Sequence, residues 1–129
     1  MKNIKIISVD DTFTNLLIIE EIAKDIGFEV ISFENPLDAY EYIQNNHVDL
    51  MFVDYMMPEM NGIELLRKIK AVQPDIIPIM ITAVADDPEL KKEALSLGVV
   101  DFLTKPFDML ALQSKIEHFN TLKQTNTLL

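Results

Sequence analysis

The segment LMFVDYMMPEMNG, residues 50–62, combines an apolar run, an acidic residue and a loop. Its first four residues, Leu50 to Val53, are all apolar, which is typical of a strand buried on both faces of a sheet. The run ends on an acid, Asp54, and the loop that follows contains the turn residues Pro58 and Gly62. A carboxylate at the end of a core strand indicates a position where the chain needs a charge.

Strand-like and helix-like segments alternate along the whole chain. The predicted strands are Ile4–Val9, Phe28–Phe33, Asp49–Val53, Ile76–Ile81 and Val99–Leu103. The predicted helices cover residues 14–26, 36–46, 63–72, 88–97 and 107 to about 122. Strict alternation of this kind predicts right-handed βαβ units, and therefore an α/β fold with a doubly wound five-stranded parallel sheet and five helices.

Glycine and proline mark several of these boundaries. Gly27 and Gly98 follow helical stretches, where a glycine commonly closes a helix. Asn35 and Pro36 have the residue types preferred at an N-cap and at the first helical position.

Length and composition restrict the class of protein. The chain has 129 residues, enough for one ordinary domain, and no cysteine, which excludes disulfides and thiolate metal sites. A net charge of -10 argues against direct nucleic-acid binding. The N-terminus leads at once into a strand-like run, and no apolar run approaches the roughly 20 residues of a membrane span. We therefore expect a cytoplasmic protein without a signal peptide or a membrane contact.

Polar residues follow four of the five predicted strands. Asp10 and Asp11 follow the first, Asp54 the third, Thr82 the fourth and Lys105 the fifth. Because ligands in open parallel sheets bind at the carboxyl ends of the strands, we expect these side chains to converge at one edge.

Three carboxylates at one edge repel one another and require a counter-charge. Mg²⁺ prefers oxygen ligands, so Asp11, Asp54 and a backbone carbonyl just after Asp54 could bind it, with Asp10 acting through water. Lys105 adds an ammonium and Thr82 a hydroxyl donor. Together these groups predict a phosphoryl site whose product is an aspartyl phosphate.

Each residue also has an ordinary interpretation. Asp10 and Asp11 could cap the first helix, Thr82 could cap the fourth, and Lys105 could be a surface lysine. All of these interpretations together require four coincidences at one end of the sheet, so the joint pattern favours the functional one.

The chain resembles a response regulator receiver domain, the phosphoacceptor half of two-component signalling. The residues that carry the resemblance are the acidic pair in IISVDDTFTNL, Asp54 in FVDYMMPEMNG, Thr82 in IMITA and Lys105 in DFLTKPF. The resemblance covers residues 3–118.

The family pattern implies a role for each matching residue. Asp54 would be the phosphoacceptor; Mg²⁺ would be bound by Asp10, Asp11, Asp54 and the backbone carbonyl of Met56. Lys105 would pair with the phosphoryl oxygens and Thr82 would hydrogen-bond one of them. The remaining implied features are Phe102 as the switch aromatic, a cis Lys105–Pro106 bond, and a flavodoxin-like sheet of order 2-1-3-4-5.

The resemblance also implies a signalling switch rather than a metabolic enzyme. The domain would take a phosphoryl group from a sensor histidine kinase or a histidine phosphotransfer protein and lose it by slow autodephosphorylation. Phosphorylation would alter a surface that binds a downstream effector or output domain, or that forms a homodimer. We expect residues 1–120 to form the receiver domain and residues 121–129 a C-terminal tail or the start of a linker helix.

Two apolar residues are expected beside the phosphoryl group, Met56 two after Asp54 and Val84 two after Thr82. They would restrict the attacking water and so alter the lifetime of the phosphoryl group.

Two alternatives stay open from the sequence. A haloacid dehalogenase type phosphotransferase or phosphatase needs an Asp-x-Asp pattern on strand one, whereas this chain has Asp10-Asp11-Thr12. The other is a degenerate interaction module that keeps the fold without phosphorylation, against which the complete set of site residues argues.

Overall fold

The computed structural model describes residues 4–83 and 87–128, and for residues 123–128 the backbone alone. Val84, expected beside the phosphoryl group, lies outside the described residues. Within the described part, no helix is long and apolar enough to cross a membrane.

Five parallel strands and five helices alternate along the chain. The strands are β1 (Ile6–Val9), β2 (Val30–Phe33), β3 (Leu50–Asp54), β4 (Ile77–Thr82) and β5 (Asp101–Thr104). The helices are α1 (Phe13–Asp25), α2 (Pro36–Asn45), α3 (Gly62–Val72), α4 (Pro88–Ser96) and α5 (Met109–Leu128). The sheet order is β2-β1-β3-β4-β5, as the resemblance implied, which confirms the predicted fold class.

Two apolar layers cover the sheet, one on each face. In β3, Leu50 and Phe52 pack in the layer under α1 and α5, whereas Met51 and Val53 pack under α2, α3 and α4. All four side chains are completely buried, and burial of each contributes about 1.5–3 kcal/mol. Asp54 is thereby fixed at the end of a strand that is anchored on both faces.

Two predicted strands begin too early because their first residues close the preceding helix. The N–H of Phe28 donates to the carbonyl of Ala23, and the N–H of Val99 donates to that of Ala94. Gly27 and Gly98, each with φ near +90°, make these turns. Phe28 and Val99 are buried, which explains their strand-like appearance in the sequence.

The last helix differs from its predicted bounds at both ends. It begins at Met109 rather than at residue 107, because the Asp108 carboxylate accepts hydrogen bonds from the N–H groups of Leu110 and Ala111 and so acts as an N-cap. It continues through residues 121–128, where the sequence predicted a tail or the start of a linker helix. A connection to an output domain stays a prediction.

Candidate functional site

The carboxyl ends of β1, β3, β4 and β5 carry the polar residues expected from the sequence. Strand pairing places Val9 beside Val53 and Asp54 beside Ile81, so Asp10 follows β1 next to the end of β3. Thr82 is the last residue of β4 and lies beside Thr104, the last residue of β5.

Three carboxylates form a compact cluster at this edge. One oxygen from each of Asp10, Asp11 and Asp54 lies within 4.8 Å of the others. Asp10 is completely buried, Asp54 is 2% exposed and Asp11 is exposed. The Asp10 carboxylate also accepts a hydrogen bond of 2.9 Å from the N–H of Thr12, which fixes the chain at the start of α1.

Lys105 supplies the positive charge at the cluster. Its Nζ lies 3.1 Å from Asp54 Oδ1 and 3.6 Å from Asp10 Oδ2. The first distance allows a charge-assisted hydrogen bond, whereas the second is an ion pair beyond hydrogen-bond range. The Lys105–Pro106 peptide bond is cis.

Burial and the charge of Asp10 make Asp54 harder to ionise. Together they raise the pKa of Asp54 from its ordinary 3.8 to about 6, with Asp11 adding to the effect and Lys105 opposing it. Asp54 is therefore mostly ionised at neutral pH, at a cost to the folded state.

Charge and hydrogen bonding both remain incomplete in the described structure. Three carboxylates face one ammonium, which leaves two negative charges when all are ionised. Asp10 Oδ2 and Asp54 Oδ2 are buried and accept no hydrogen bond from any described residue. Buried polar atoms normally have a partner, so these oxygens indicate room for a cation.

The other predicted residues differ in how deeply they are buried. Thr82 is buried and Phe102 is half-buried against the core layer of α2, α3 and α4. The Met56 side chain is 68% exposed, while Met57 is buried in the same layer and Met60 packs against it. The methionines are thus packing or surface residues, and the role of the Met56 carbonyl stays a prediction.

The loop after Asp54 is held by backbone contacts. The N–H of Tyr55 donates to the carbonyl of Ile81, and the N–H of Gly62 donates to the carbonyl of Tyr55, both at 2.9 Å. Asn61 and Glu64 form a reciprocal capping box that begins α3 at the end of this loop.

Gly62 is the site residue whose role the sequence did not show. A Cβ at this position would lie 2.7 Å from the Asp54 carbonyl oxygen and 3.2 Å from the Tyr55 Cα. The absence of a side chain therefore allows α3 to contact the backbone of Asp54 directly. The sequence signal was a glycine next to an Asn N-cap, which by itself predicts only a turn or a helix start.

Comparison with known proteins shows the family of the chain. A sequence profile of the response regulator receiver domain matches residues 6–117. The chain belongs to the response regulator receiver domain family. Receiver domains are signalling switches of two-component systems, which act with histidine kinases and output domains and bind Mg²⁺ at an acidic pocket.

Individual receiver proteins resemble the chain over nearly its full length. The cyclic di-GMP phosphodiesterase response regulator RpfG of Xanthomonas campestris is 35% identical, over 94% of this chain and 33% of that protein. The sporulation initiation phosphotransferase F of Bacillus subtilis is 28% identical, over 95% of this chain and 98% of that protein. A CheY-like receiver domain from Methanospirillum hungatei has a TM-score of 0.87 at 27% identity, covering 96% of this chain and 99% of its own.

The chain spans about a quarter to a third of the length of several curated relatives that it matches. Those relatives therefore contain further segments, and this receiver domain corresponds to one part of them.

The receiver domain's acidic pocket fits a divalent cation. The available ligands are carboxylate oxygens, which are hard donors suited to Mg²⁺, and two of them are buried without a hydrogen-bond donor among the described residues. The two uncompensated negative charges match the charge of such an ion. Asp10, Asp11 and Asp54 are the residues that would hold it.

Replacing Gly62 by Ala should disturb Asp54 through its backbone. The new Cβ would clash with the Asp54 carbonyl, so we expect Gly62→Ala to lower the free energy of unfolding by about 1–3 kcal/mol. Urea unfolding measures this loss. Met109→Ala, at the exposed first residue of α5, is the matched control and should change stability by less than about 0.5 kcal/mol. A Gly62→Ala variant as stable as wild type would show that there is room for a Cβ beside the Asp54 carbonyl.

Replacing Asp54 by Asn should stabilise the metal-free domain at neutral pH. The variant removes a buried charge and keeps the shape, for an expected gain of roughly 1–3 kcal/mol above about pH 6. Because the folded state raises the pKa of Asp54, it binds this proton more tightly than the unfolded chain, and wild-type stability falls as the pH rises from about 4 to about 6.

Urea unfolding of both proteins in EDTA between pH 4 and pH 8 tests this expectation. The difference between wild type and Asp54→Asn should be small at the acid end and complete at the alkaline end. Asp38→Asn, an exposed position on α2, should show no comparable change with pH. A variant less stable than wild type at neutral pH would contradict the assignment of Asp54 as a strained, ionised group.

Proposed function

We propose that this receiver domain accepts a phosphoryl group on Asp54 in a Mg²⁺-dependent reaction, from a histidine kinase or a histidine phosphotransfer protein. The observation that carries the proposal is the 3.1 Å contact between Lys105 Nζ and Asp54 Oδ1 inside the three-carboxylate cluster. A nucleophilic carboxylate held beside a fixed ammonium and an incomplete cation site is suited to phosphoryl transfer.

The transfer requires one bond to form and one to break. An oxygen of the ionised Asp54 carboxylate forms a bond to phosphorus while the bond between phosphorus and the donor's imidazole nitrogen breaks. The nitrogen keeps the electron pair and later takes a proton from solvent. Asp54 is ionised for this step at neutral pH, since its pKa is about 6.

Residues around Asp54 would stabilise the charge on the transferred group. Lys105, already beside Asp54, would pair with a phosphoryl oxygen, and the Thr82 hydroxyl would donate to another. Asp10, Asp11, Asp54 and the Met56 carbonyl would hold Mg²⁺, which supplies positive charge against the phosphoryl oxygens when bound.

The donor would approach over an apolar surface beside the site. Phe13 and Leu17 lie one turn apart on α1, directly after the acidic pair, and are 58% and 43% exposed. Exposed apolar side chains around a polar site are typical of protein contacts, which supports a protein donor.

The output would be a change at β5 and its neighbours. Phe102 is half-buried on β5, next to Met80 on β4, two residues before Thr82. Leu95 at the end of α4 and Val100 before β5 are both exposed apolar residues. We propose that Thr82 and Phe102 move together on phosphorylation and alter this surface for an effector, an output domain or a second copy of the chain.

The phosphoryl group would be lost by hydrolysis. Water attacks phosphorus, the bond from phosphorus to the Asp54 oxygen breaks, and inorganic phosphate leaves while the carboxylate is restored. Met56, two residues after Asp54, has an exposed apolar side chain, which would offer no strong hydrogen bond to that water. An apolar residue here would lengthen the lifetime of the phosphorylated state.

Phosphorylation can be tested by intact-protein mass spectrometry with acetyl phosphate and, separately, phosphoramidate. We expect a single phosphoryl adduct on wild type that requires Mg²⁺ and disappears in EDTA. Asp54→Asn should give no adduct, whereas the exposed control Asp38→Asn should behave as wild type. Folded wild type that binds Mg²⁺ but gains no adduct from either donor would favour an interaction module without phosphorylation.

The role of Met56 can be tested through the lifetime of the phosphorylated protein. Met56→Gln has nearly the same shape and adds an amide that can hydrogen-bond the attacking water, so we expect a several-fold faster loss of the adduct after the donor is removed. Leu95→Gln, similarly exposed at the end of α4, is the matched control and should leave the lifetime unchanged. Equal lifetimes in the two variants would remove Met56 from the hydrolysis step.

A further inference from the structure

A second concave site lies at the opposite end of the sheet from Asp54. It is a cavity of about 510 Å³ between the first residues of β3, β4 and β5 and the middle of α5. Leu50 lines it at the start of β3, whereas Asp54 ends the same strand about 13 Å away. The cavity is therefore separate from the phosphoacceptor site.

The cavity exists because α5 packs closely against the sheet only as far as Ile116. Leu112 and Ile116 are completely buried, whereas Phe119 is half-buried and Leu122 is exposed. The space below Ile116 is bounded by apolar side chains from both the sheet and the helix. These are Leu50, Ile77, Ile79, Val100, Phe119 and Leu122.

Four polar side chains complete the lining, and two of them already neutralise each other. The ammonium of Lys115 contacts Asp101 Oδ2, while Asp101 Oδ1 accepts the N–H of Phe102. This pair offers no net charge to a ligand. An anion would have to displace Asp101 in order to use Lys115.

The other two polar groups lie exposed at the mouth. His118 makes no hydrogen bond or ion pair within the described residues. Asp75 has an electrostatic interaction with Lys70, but that ammonium donates to the backbone carbonyls of Pro74 and Ile76 instead. A carboxylate and an imidazole acceptor are thus left to meet a donor from outside.

Charge therefore favours a cationic ligand. The lining itself carries two carboxylates against one ammonium, with histidine counted as neutral; Lys70, outside the lining, offsets part of the charge of Asp75, and the whole chain has a net charge of -10. The acidic field of the protein raises the local concentration of cations and repels anions.

We propose that this cavity binds a small amphipathic molecule with a flat apolar body and one protonated amino group. The body lies between the strand residues Ile77 and Ile79 and the helix residue Phe119, and the ammonium donates to Asp75 and His118. A cavity of about 510 Å³ is within the range of small-molecule sites, which also combine apolar walls with a few polar groups.

Tryptamine is the probe that tests this proposal, followed by ¹H–¹⁵N NMR titration of the ¹⁵N-labelled chain without phosphodonor or Mg²⁺. Saturable shifts should be confined to amides that line the cavity, with a dissociation constant of about a millimolar or below. Indole-3-propionate, which carries the same ring on an anionic chain, should bind at least fivefold more weakly. Because no phosphorylation is involved, the result is independent of the proposed function of Asp54.

Two variants separate the apolar and the charged part of the site. Ile77→Phe adds volume into the cavity and should weaken tryptamine binding at least fivefold, while Asp75→Asn should weaken it about twofold to fivefold. Asp75 is exposed, so its variant should fold normally, which its NMR spectrum shows directly. Asp38→Asn on α2 is the matched charge control and should bind as wild type.

The proposal is overturned by any of three results. One is the absence of saturable shifts at the cavity with tryptamine. The second is binding of indole-3-propionate as tight as that of tryptamine, which would mean that the charges do not select a cation. The third is unchanged affinity in Ile77→Phe, which would place the probe elsewhere.

Discussion

The burial of Asp54 beside Asp10 is the constraint on which the rest of the site depends. Two carboxylates with almost no exposed surface, and a third close by, face a single ammonium from Lys105. Removing a carboxylate from water costs several kcal/mol, and this burial together with the charge of Asp10 raises the pKa of Asp54, while Lys105 only partly opposes the effect. The apolar layers around β3 must supply that energy, and they do so through completely buried side chains on both faces. What remains is a folded domain whose pocket is short of positive charge.

That shortage arises from the way the chain leaves the sheet. The order β2-β1-β3-β4-β5 makes β1 and β3 neighbours, and the chain then turns to α1 on one face and to α3 on the other. The two departures open a crevice between the acidic pair after β1 and Asp54 at the end of β3. Lys105 closes one side of this crevice from the loop after β5. The same topology therefore explains both the crowding of the carboxylates and the access to them.

Much of this arrangement could be predicted, because parallel strands bring their carboxyl ends to one edge. Asp10, Asp11, Asp54, Thr82 and Lys105 were predicted from strand ends. The structure brings one oxygen of each acid within 4.8 Å of the others and pairs Lys105 with Asp54 and Asp10. The predicted starts of β2 and β5 were wrong. Phe28 and Val99 have the residue types of a strand, but their N–H groups donate to carbonyls of the preceding helices. A pattern of apolar residues shows burial and leaves hydrogen-bond partners unknown.

The close contact at Gly62 and the cavity beneath α5 could not be predicted from the sequence, for a related reason. The sequence shows a glycine near a helix start, but only coordinates show that a Cβ there would reach the Asp54 carbonyl. Likewise, the stripe of Ile116, Phe119 and Leu122 predicts a helix and says nothing about the space left beneath it. Both features depend on distances between elements far apart in the chain, which no local pattern records.

The short strand β5 connects the cavity to the site around Asp54. Asp101, its first residue, lines the cavity and pairs with Lys115 of α5, and its last residue, Thr104, immediately precedes Lys105. Phe102 lies between them, with its N–H bonded to the Asp101 carboxylate. A displacement of Asp101 therefore acts on the strand that positions Lys105 against Asp54. If the cavity binds a ligand more tightly in one state of the Asp54 site than in another, that ligand shifts the site toward the state it prefers, by linkage.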